Sequence, residues 1–184
     1  MDLLSLLNSF RHLDWRSPLH EYTVIYAYVA LKRPARIFEL GSGRGLSSIV
    51  MAEALGDWQI PGHVWTCEWQ KVHYDETVEN IAAYMCGHLV TPLFGNGREI
   101  AQRFAPYDLA FIDGDHSYEA VKGDFEALRP LARDFIFHDS QWDSTPGVRQ
   151  FVDEARGLEA FDIINLTSAK YDIGSVGIAL FQRL

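Results

Sequence analysis

Residues 36–55, RIFELGSGRGLSSIVMAEAL, change their periodicity at Gly41. Before that glycine, RIFEL is a short apolar run suited to a buried strand; after Gly45 the apolar residues return at helical spacing. The unit reads as strand, glycine turn, helix, with Gly41, Gly43 and Gly45 alternating in the turn. Bare backbone in such a turn lets a ligand approach closely, and the start of the helix offers N–H groups without partners. A tight turn needing positive φ is the competing explanation, and it accounts for only one or two of the three glycines.

The same alternation continues downstream. HVWTCEW (63–69), LVTPLFG (89–95), DLAFID (108–113) and DFIFHD (134–139) read as strands, separated by the helical runs DETVENIAAYM (75–85), REIAQRFA (98–105) and YEAVKGDFEALRPL (118–131). Strands separated by helices are βαβ units, and their right-handed crossovers build a parallel sheet covered on both faces. SQWDSTPGVRQ (140–150) reads as a loop. FDIINLT (161–167) and GSVGIALFQRL (174–184) have no helix between them, so one of them is expected to enter the sheet antiparallel. Upstream, Ser17 is a candidate N-cap with Pro18 next to it, opening a helix that Pro34 stops. The expectation is one doubly wound α/β domain, with residues 1–34 as a helical cap on a core of 35–184.

Composition narrows the partners. Against 25 acidic residues stand 16 Lys and Arg, a formal charge of -9 with a pI near 5.1; clustered cations are what a nucleic-acid surface needs, so no nucleic-acid partner is expected. Cys67 and Cys86 are the two cysteines, and neither sits in a metal or C-x-x-C pattern, which points to a reduced, intracellular chain without disulfides. The first ten residues lack a basic leader and suit an amphipathic helix, and no apolar run approaches the ~20 residues that span a bilayer. A cytoplasmic protein acting on a small molecule, without a membrane partner, is expected.

The spacing of the turn is G-x-G-x-G rather than the G-x-G-x-x-G of a dinucleotide site. Glu39, two residues before the first glycine, would repel a pyrophosphate but suits a cationic ligand, held directly or through a water; S-adenosylmethionine carries both a sulfonium and an ammonium. Glu68 ends its strand 23 residues after Gly45, close to the offset of roughly 20 at which an acidic side chain hydrogen-bonds ribose hydroxyls. Asn96, in the glycine-flanked turn GNG, is placed to meet an adenine edge, or is plain turn chemistry.

The ordered set FELGSGRG, TCEW, GNGRE, FIDGDHSYEAVKGDFEAL and FIFHDS resembles the class I S-adenosylmethionine-dependent methyltransferases from about Ala35 to the C-terminus. Within them, IDGDHSYE and HDS look like the small-molecule O-methyltransferases related to macrocin and other sugar O-methyltransferases. The resemblance implies a Rossmann-like, seven-stranded sheet with an antiparallel C-terminal hairpin. It also implies a cofactor turn of Gly41, Ser42, Gly43 and Gly45 served by Glu39, Glu68, Asn96 and Asp113.

In a doubly wound sheet the parallel strands end on one edge, so Asp113 and Asp139 are expected to converge beside the cofactor. Two carboxylates at a ligand crevice call for a cation. Oxygen ligands without cysteine or paired histidine point to a hard ion, Mg²⁺, and in metal-dependent relatives these two positions are metal ligands. Such relatives usually carry Asn or Asp next; this chain has Ser140, leaving Gln141, Asp143 or water to complete the shell. Without a metal, Asp113 would meet the cofactor's amino group. His116, three residues after Asp113, is expected to take the proton from a hydroxyl, with Asp115 the alternative. His138 should point to the opposite side of its strand from Asp139 and be structural.

Methyl transfer to a hydroxyl is thus the leading reading, against a nucleotide-dependent oxidoreductase and a non-catalytic cofactor-binding module. Trp15, Trp69, Trp142 and Tyr118 flank the expected site and suit a phenolic ring or a sugar face. The N-terminal helices or the partner subunit of a homo-oligomer are expected to close the pocket.

Overall fold

The computed structural model describes residues 3–10, 19–141, 146–167 and 177–184. Ser17, Pro18, Trp15, Trp142 and Asp143, each given a part above, lie outside the described residues.

In chain order the elements are α1 (Leu3–Phe10), α2 (Leu19–Lys32), β1 (Arg36–Leu40), α3 (Leu46–Asp57), β2 (His63–Glu68), α4 (Lys71–Ala83) and β3 (Val90–Phe94). There follow α5 (Gly97–Phe104), β4 (Tyr107–Ile112), α6 (Tyr118–Leu128), β5 (Ala132–Phe137), α7 (Pro146–Ala155), β6 (Phe161–Thr167) and β7 (Gly177–Arg183). The seven strands form one sheet in the order β3-β2-β1-β4-β5-β7-β6. β1 to β5 pair in parallel, whereas β7 runs antiparallel to both β5 and β6. This is the Rossmann-like sheet with a reversed C-terminal hairpin. Pro92, which cannot donate to a ladder, sits in the edge strand β3, where one side of the strand is unpaired.

Alternation along the strands sorts side chains into two cores. Ile37 of β1, Phe111 of β4 and Ile136 of β5 face α3 and the N-terminal helices, joining Ile25, Val29 and Ile49. Phe38, Ile112, Phe135 and Phe137 face the other way and meet α6 and α7 in a cluster centred on Phe125, whose ring centroid lies 5.1 Å from that of Phe135 and 5.2 Å from that of Phe151. α2 packs on α3 and supplies Tyr22, Ile25 and Val29 to the first core, which is how the cap becomes part of the sheet's cover.

One element escaped the sequence reading. Residues 146–150, the end of the stretch that reads as a loop, instead open α7, which begins at Pro146 and buries Val148, Phe151 and Val152 against the aromatic core. Proline at a first helical position is preorganised for helix; the apolar residues at 148, 151, 152 and 155 carry the helical spacing. No helix among the described residues is long and apolar enough to cross a membrane. Both cysteines are buried and free, as expected of a chain without staples.

Candidate active site

The carboxyl ends of β1 to β5 open on one edge, and there lies a cavity of about 1410 Å³. That exceeds the roughly 300–1,000 Å³ of a pocket for one drug-sized ligand, leaving room for two molecules side by side. Its wall is the glycine turn with Glu68, Asn96, Asp113, His116 and Asp139.

The glycines of the turn divide their work. All three have positive φ. A Cβ on Gly41 would stand 2.2 Å from the carbonyl oxygen of Asp113, and one on Gly45 would stand 3.0 Å from the Thr77 side chain. These two are therefore required by the packing of β1 on β4 and of the turn on α4. Gly43 lies between them on the cavity wall, and its N–H donates to Glu68 Oε2 at 3.1 Å. Ser42, also on the wall, has its hydroxyl 2.9 Å from that of Thr77.

Glu68 is anchored as well as placed. Its Oε1 accepts the backbone N–H groups of Trp69 and Gln70 at 2.9 and 2.8 Å, so the carboxylate is fixed at the end of β2 and aimed over the glycine turn. Asn96 is the N-cap of α5, its side chain accepting from the N–H of Arg98 at 3.0 Å; its exposed amide still borders the cavity.

Glu39 sits differently from the other cofactor candidates. Sharing a face of β1 with Ile37, it turns under α3, where the hydroxyls of Ser47 and Ser48 donate to its two oxygens. It is fully buried and does not line the cavity. Burial pushes its carboxyl up to about 7, against the lowering effect of hydrogen bonds from Ser47, Ser48 and Thr66. A contact to a ligand would have to pass through the serines.

The acidic and histidine cluster closes the cavity floor. Asp113 follows β4 directly, and its Oδ1 lies 3.2 Å from His116 Nε2 and 3.3 Å from His138 Nδ1. Asp139 contributes Oδ1 at 3.2 Å from His138 Nδ1 and Oδ2 at 3.5 Å from His116 Nδ1. Burial raises the Asp113 carboxyl, but the charges of the two imidazoles and their hydrogen bonds outweigh it and hold it well below the usual range. Burial lowers His116, yet its hydrogen bond to Asp113 and the two carboxylates leave it above its ordinary value. Asp115, exposed but also on the cavity wall just before α6, accepts the Ser117 N–H at 2.8 Å, and that bond lowers it.

His138 corrects the sequence reading. Alternation does turn it to the α2 side of β5, but that side carries Asp113 and the cap residue Glu21, whose Oε2 is 2.8 Å from His138 Nε2. Asp139 in turn has left the strand, since β5 ends at Phe137 and Asp139 has φ 54, so the two side chains meet instead of diverging. His138 lines the cavity and is only 5% exposed. The sequence signal that could have located Glu21 is an acidic residue on the otherwise apolar face of α2.

The oxygen-only ligand set expected around Asp113 and Asp139 is not what surrounds them. Ser140 donates its hydroxyl to Asn165 on β6 at 2.8 Å, and Gln141 packs against Gly177 at the start of β7. Among the described residues the neighbours of the two aspartates are imidazole nitrogens, a donor set that does not fit a magnesium site. Of the aromatic candidates, Trp69 lies exposed on the cavity rim and Tyr118 is turned to Glu154 of α7, 2.6 Å away. Tyr22 of the cap and Phe94 at the end of β3 also line the cavity, unforeseen from the sequence.

Comparison with solved structures places this chain among proteins of the same fold. It is similar to the O-methyltransferase TomG from Streptomyces achromogenes in complex with SAM, at 21% identity over 98% of this chain and 88% of that one, with a TM-score of 0.77. It is likewise similar to the O-methyltransferase from Bacillus cereus in complex with SAH, at 20% identity over 98% and 90% of the two chains, TM-score 0.77. Residues 38–140, which run from β1 through the acidic and histidine cluster, match the family model Methyltransf_24, and the chain belongs to that family of methyltransferase domains.

Proposed function

We propose that the protein transfers a methyl group from S-adenosylmethionine to a hydroxyl of a small molecule. The observation that carries this reading is the shape of one cavity: a glycine turn with a fixed carboxylate on one wall, and a histidine between two carboxylates on the floor. Gly43 leaves backbone open to a ligand, Glu68 has acceptor capacity for ribose hydroxyls, and Asn96 borders the place an adenine would take. Glu39 supports the turn from beneath through Ser47 and Ser48. Bound S-adenosylmethionine would supply an electrophilic methyl carbon.

The chain's own part is alignment and proton removal. His116 Nδ1, the looser of the two ring contacts, accepts the hydroxyl proton, and Asp139 Oδ2 at 3.5 Å stabilises the imidazolium. Asp113 Oδ1 holds the ring's other nitrogen at 3.2 Å and so fixes its orientation. Asp115 also lines the cavity, but its carboxylate is taken up by the Ser117 N–H and held below its ordinary value, which makes it the weaker candidate for the base. Trp69, Tyr22 and Phe94 give the acceptor apolar surface suited to a phenolic ring or a sugar face. No step here runs through Mg²⁺, because the donors around the aspartates do not suit it.

The test is a titration of the protein with S-adenosylmethionine by calorimetry, followed by incubation with phenolic and sugar hydroxyl acceptors and assay of S-adenosylhomocysteine. Binding of the cofactor with acceptor-dependent release of product is expected. Binding of NAD in its place would overturn the reading, and cofactor binding without product across the panel would favour a non-catalytic module.

A further inference from the structure

We propose that Thr77, buried on α4, is a positioning residue for the cofactor: it commits the Ser42 hydroxyl as a donor, so that Ser42 offers the cavity only lone pairs, suited to the ammonium of S-adenosylmethionine. The inference rests on the reading of this cavity as the methyl-transfer site and concerns how that site recognises the amino-acid end of its cofactor.

The face that α4 turns to the glycine turn is polar. A helix on a sheet ordinarily offers it an apolar stripe, yet α4 buries only Thr77 and Ile81. Glu76 pairs with Arg44 Nε at 3.3 Å, Asn80 Nδ2 donates to the Arg44 carbonyl at 2.9 Å, and Thr77 Oγ1 donates to the Gly43 carbonyl at 2.9 Å. These three residues, at helical spacing, hold the turn by hydrogen bonds and charge rather than by apolar packing.

Thr77 has a single hydroxyl proton, and the Gly43 carbonyl takes it. Its oxygen also lies 2.9 Å from Ser42 Oγ, and that contact is a hydrogen bond only if Ser42 supplies the proton. The chain therefore runs from the Ser42 hydroxyl to the Thr77 hydroxyl to the Gly43 carbonyl. The backbone of Ser42 is engaged as well: its N–H donates to the Cys67 carbonyl at 3.0 Å, and its carbonyl accepts the Gly45 N–H at 2.6 Å. What Ser42, on the cavity wall and 5% exposed, has left for a ligand is the lone pairs of its hydroxyl.

Strand order says which part of the cofactor lies there. With adenine at Asn96 beyond β3 and ribose at Glu68 beyond β2, the cofactor follows the sheet edge in the order β3-β2-β1, and the portion past the ribose lies over the turn that ends β1. That portion carries the ammonium, which donates and cannot accept. A freely rotating hydroxyl would offer it a proton or a lone pair. One committed to Thr77 offers the lone pair alone, so nothing has to be reoriented on binding.

Calorimetry on the full-length protein with S-adenosylmethionine and with 5′-methylthioadenosine, which lacks the amino-acid end, tests this. Thr77→Val keeps the shape and loses the hydroxyl, whereas Thr77→Ser keeps the hydroxyl and loses the methyl group nearest Gly45. Thr77→Val should weaken S-adenosylmethionine roughly 10-fold, the scale of one hydrogen bond to a charged group, and leave methylthioadenosine within about twofold. Thr77→Ser should bind both compounds as the wild type does, although it unfolds at a lower temperature. A residue serving packing alone would give the opposite order, affinity lost in Thr77→Ser and kept in Thr77→Val, and that result overturns the proposal. An equal loss for both compounds in Thr77→Val overturns it too. Ser42→Ala should weaken S-adenosylmethionine selectively, and unchanged affinity there refutes the proposal even if Thr77→Val does not fold. A wild type that binds neither compound would instead remove the methyltransferase reading on which this inference stands.

Discussion

Replacing Glu39 by glutamine should remove a specific part of the pH dependence of stability. Its carboxyl is fully buried beneath the glycine turn, and burial lifts it from an ordinary 4.5 to about 7. A carboxyl raised in the folded state contributes stability that is present in full below its unfolded value and is lost as pH rises through the folded one. The window is therefore pH 4.5 to 7. At about 1.4 kcal/mol for each pH unit of separation, the loss is about 3 kcal/mol across it. Glutamine is neutral throughout and can still engage Ser47 and Ser48, whose hydroxyls rotate to donate or accept. Urea unfolding of wild type and Glu39→Gln at pH 5 and pH 8 measures the effect. The difference between the two proteins should shift by about 3 kcal/mol in favour of the variant at the higher pH. Parallel curves, with one constant offset at both values, would refute the reasoning and show Glu39 ionised or solvated in the fold.

The remaining predictions concern the cavity. Gly41→Ala, which places a Cβ 2.2 Å from the Asp113 carbonyl oxygen at a φ of +92°, should lower the thermal midpoint of the protein whether or not cofactor is bound; an unchanged midpoint would mean the turn relaxes freely. Gly43→Val should instead abolish S-adenosylmethionine binding measured by calorimetry, and unaltered affinity would remove the turn from the site. Glu68→Ala should weaken the same binding by about 1–3 kcal/mol through lost hydrogen bonds to the ribose, with adenosine affected in parallel. His116→Ala should reduce kcat by roughly 10²–10⁴-fold while cofactor affinity stays within a few-fold; full turnover in that variant would pass the base role to Asp115.

Local pattern sufficed where local physics decides. The strand, turn and helix at 36–55 were legible because period two, three glycines and period 3.6 follow one another within twenty residues. The reversed hairpin was legible because no helix-length segment separates 167 from 177. α7 was not, since Pro146 and Gly147 suggest a turn and only the aromatic core around Phe125 rewards burying Val148, Phe151 and Val152.

At the site, the sequence by itself determined which groups reach the sheet's carboxyl edge: Glu68, Asn96, Asp113, His116 and Asp139 all stand where strand ends place them. Only the tertiary structure decided how they face one another. Gly41 owes its identity to the carbonyl of a strand more than seventy residues away, and Glu39 is withdrawn from the cavity by serines of the following helix. The meeting of His138 with Glu21 joins a cap helix to the fifth strand across more than a hundred residues, and it depends on Asp139 leaving the strand at positive φ. Periodicity gives the face on which a side chain leaves its element; what waits on that face is set by the packing of distant segments, which no local spacing encodes.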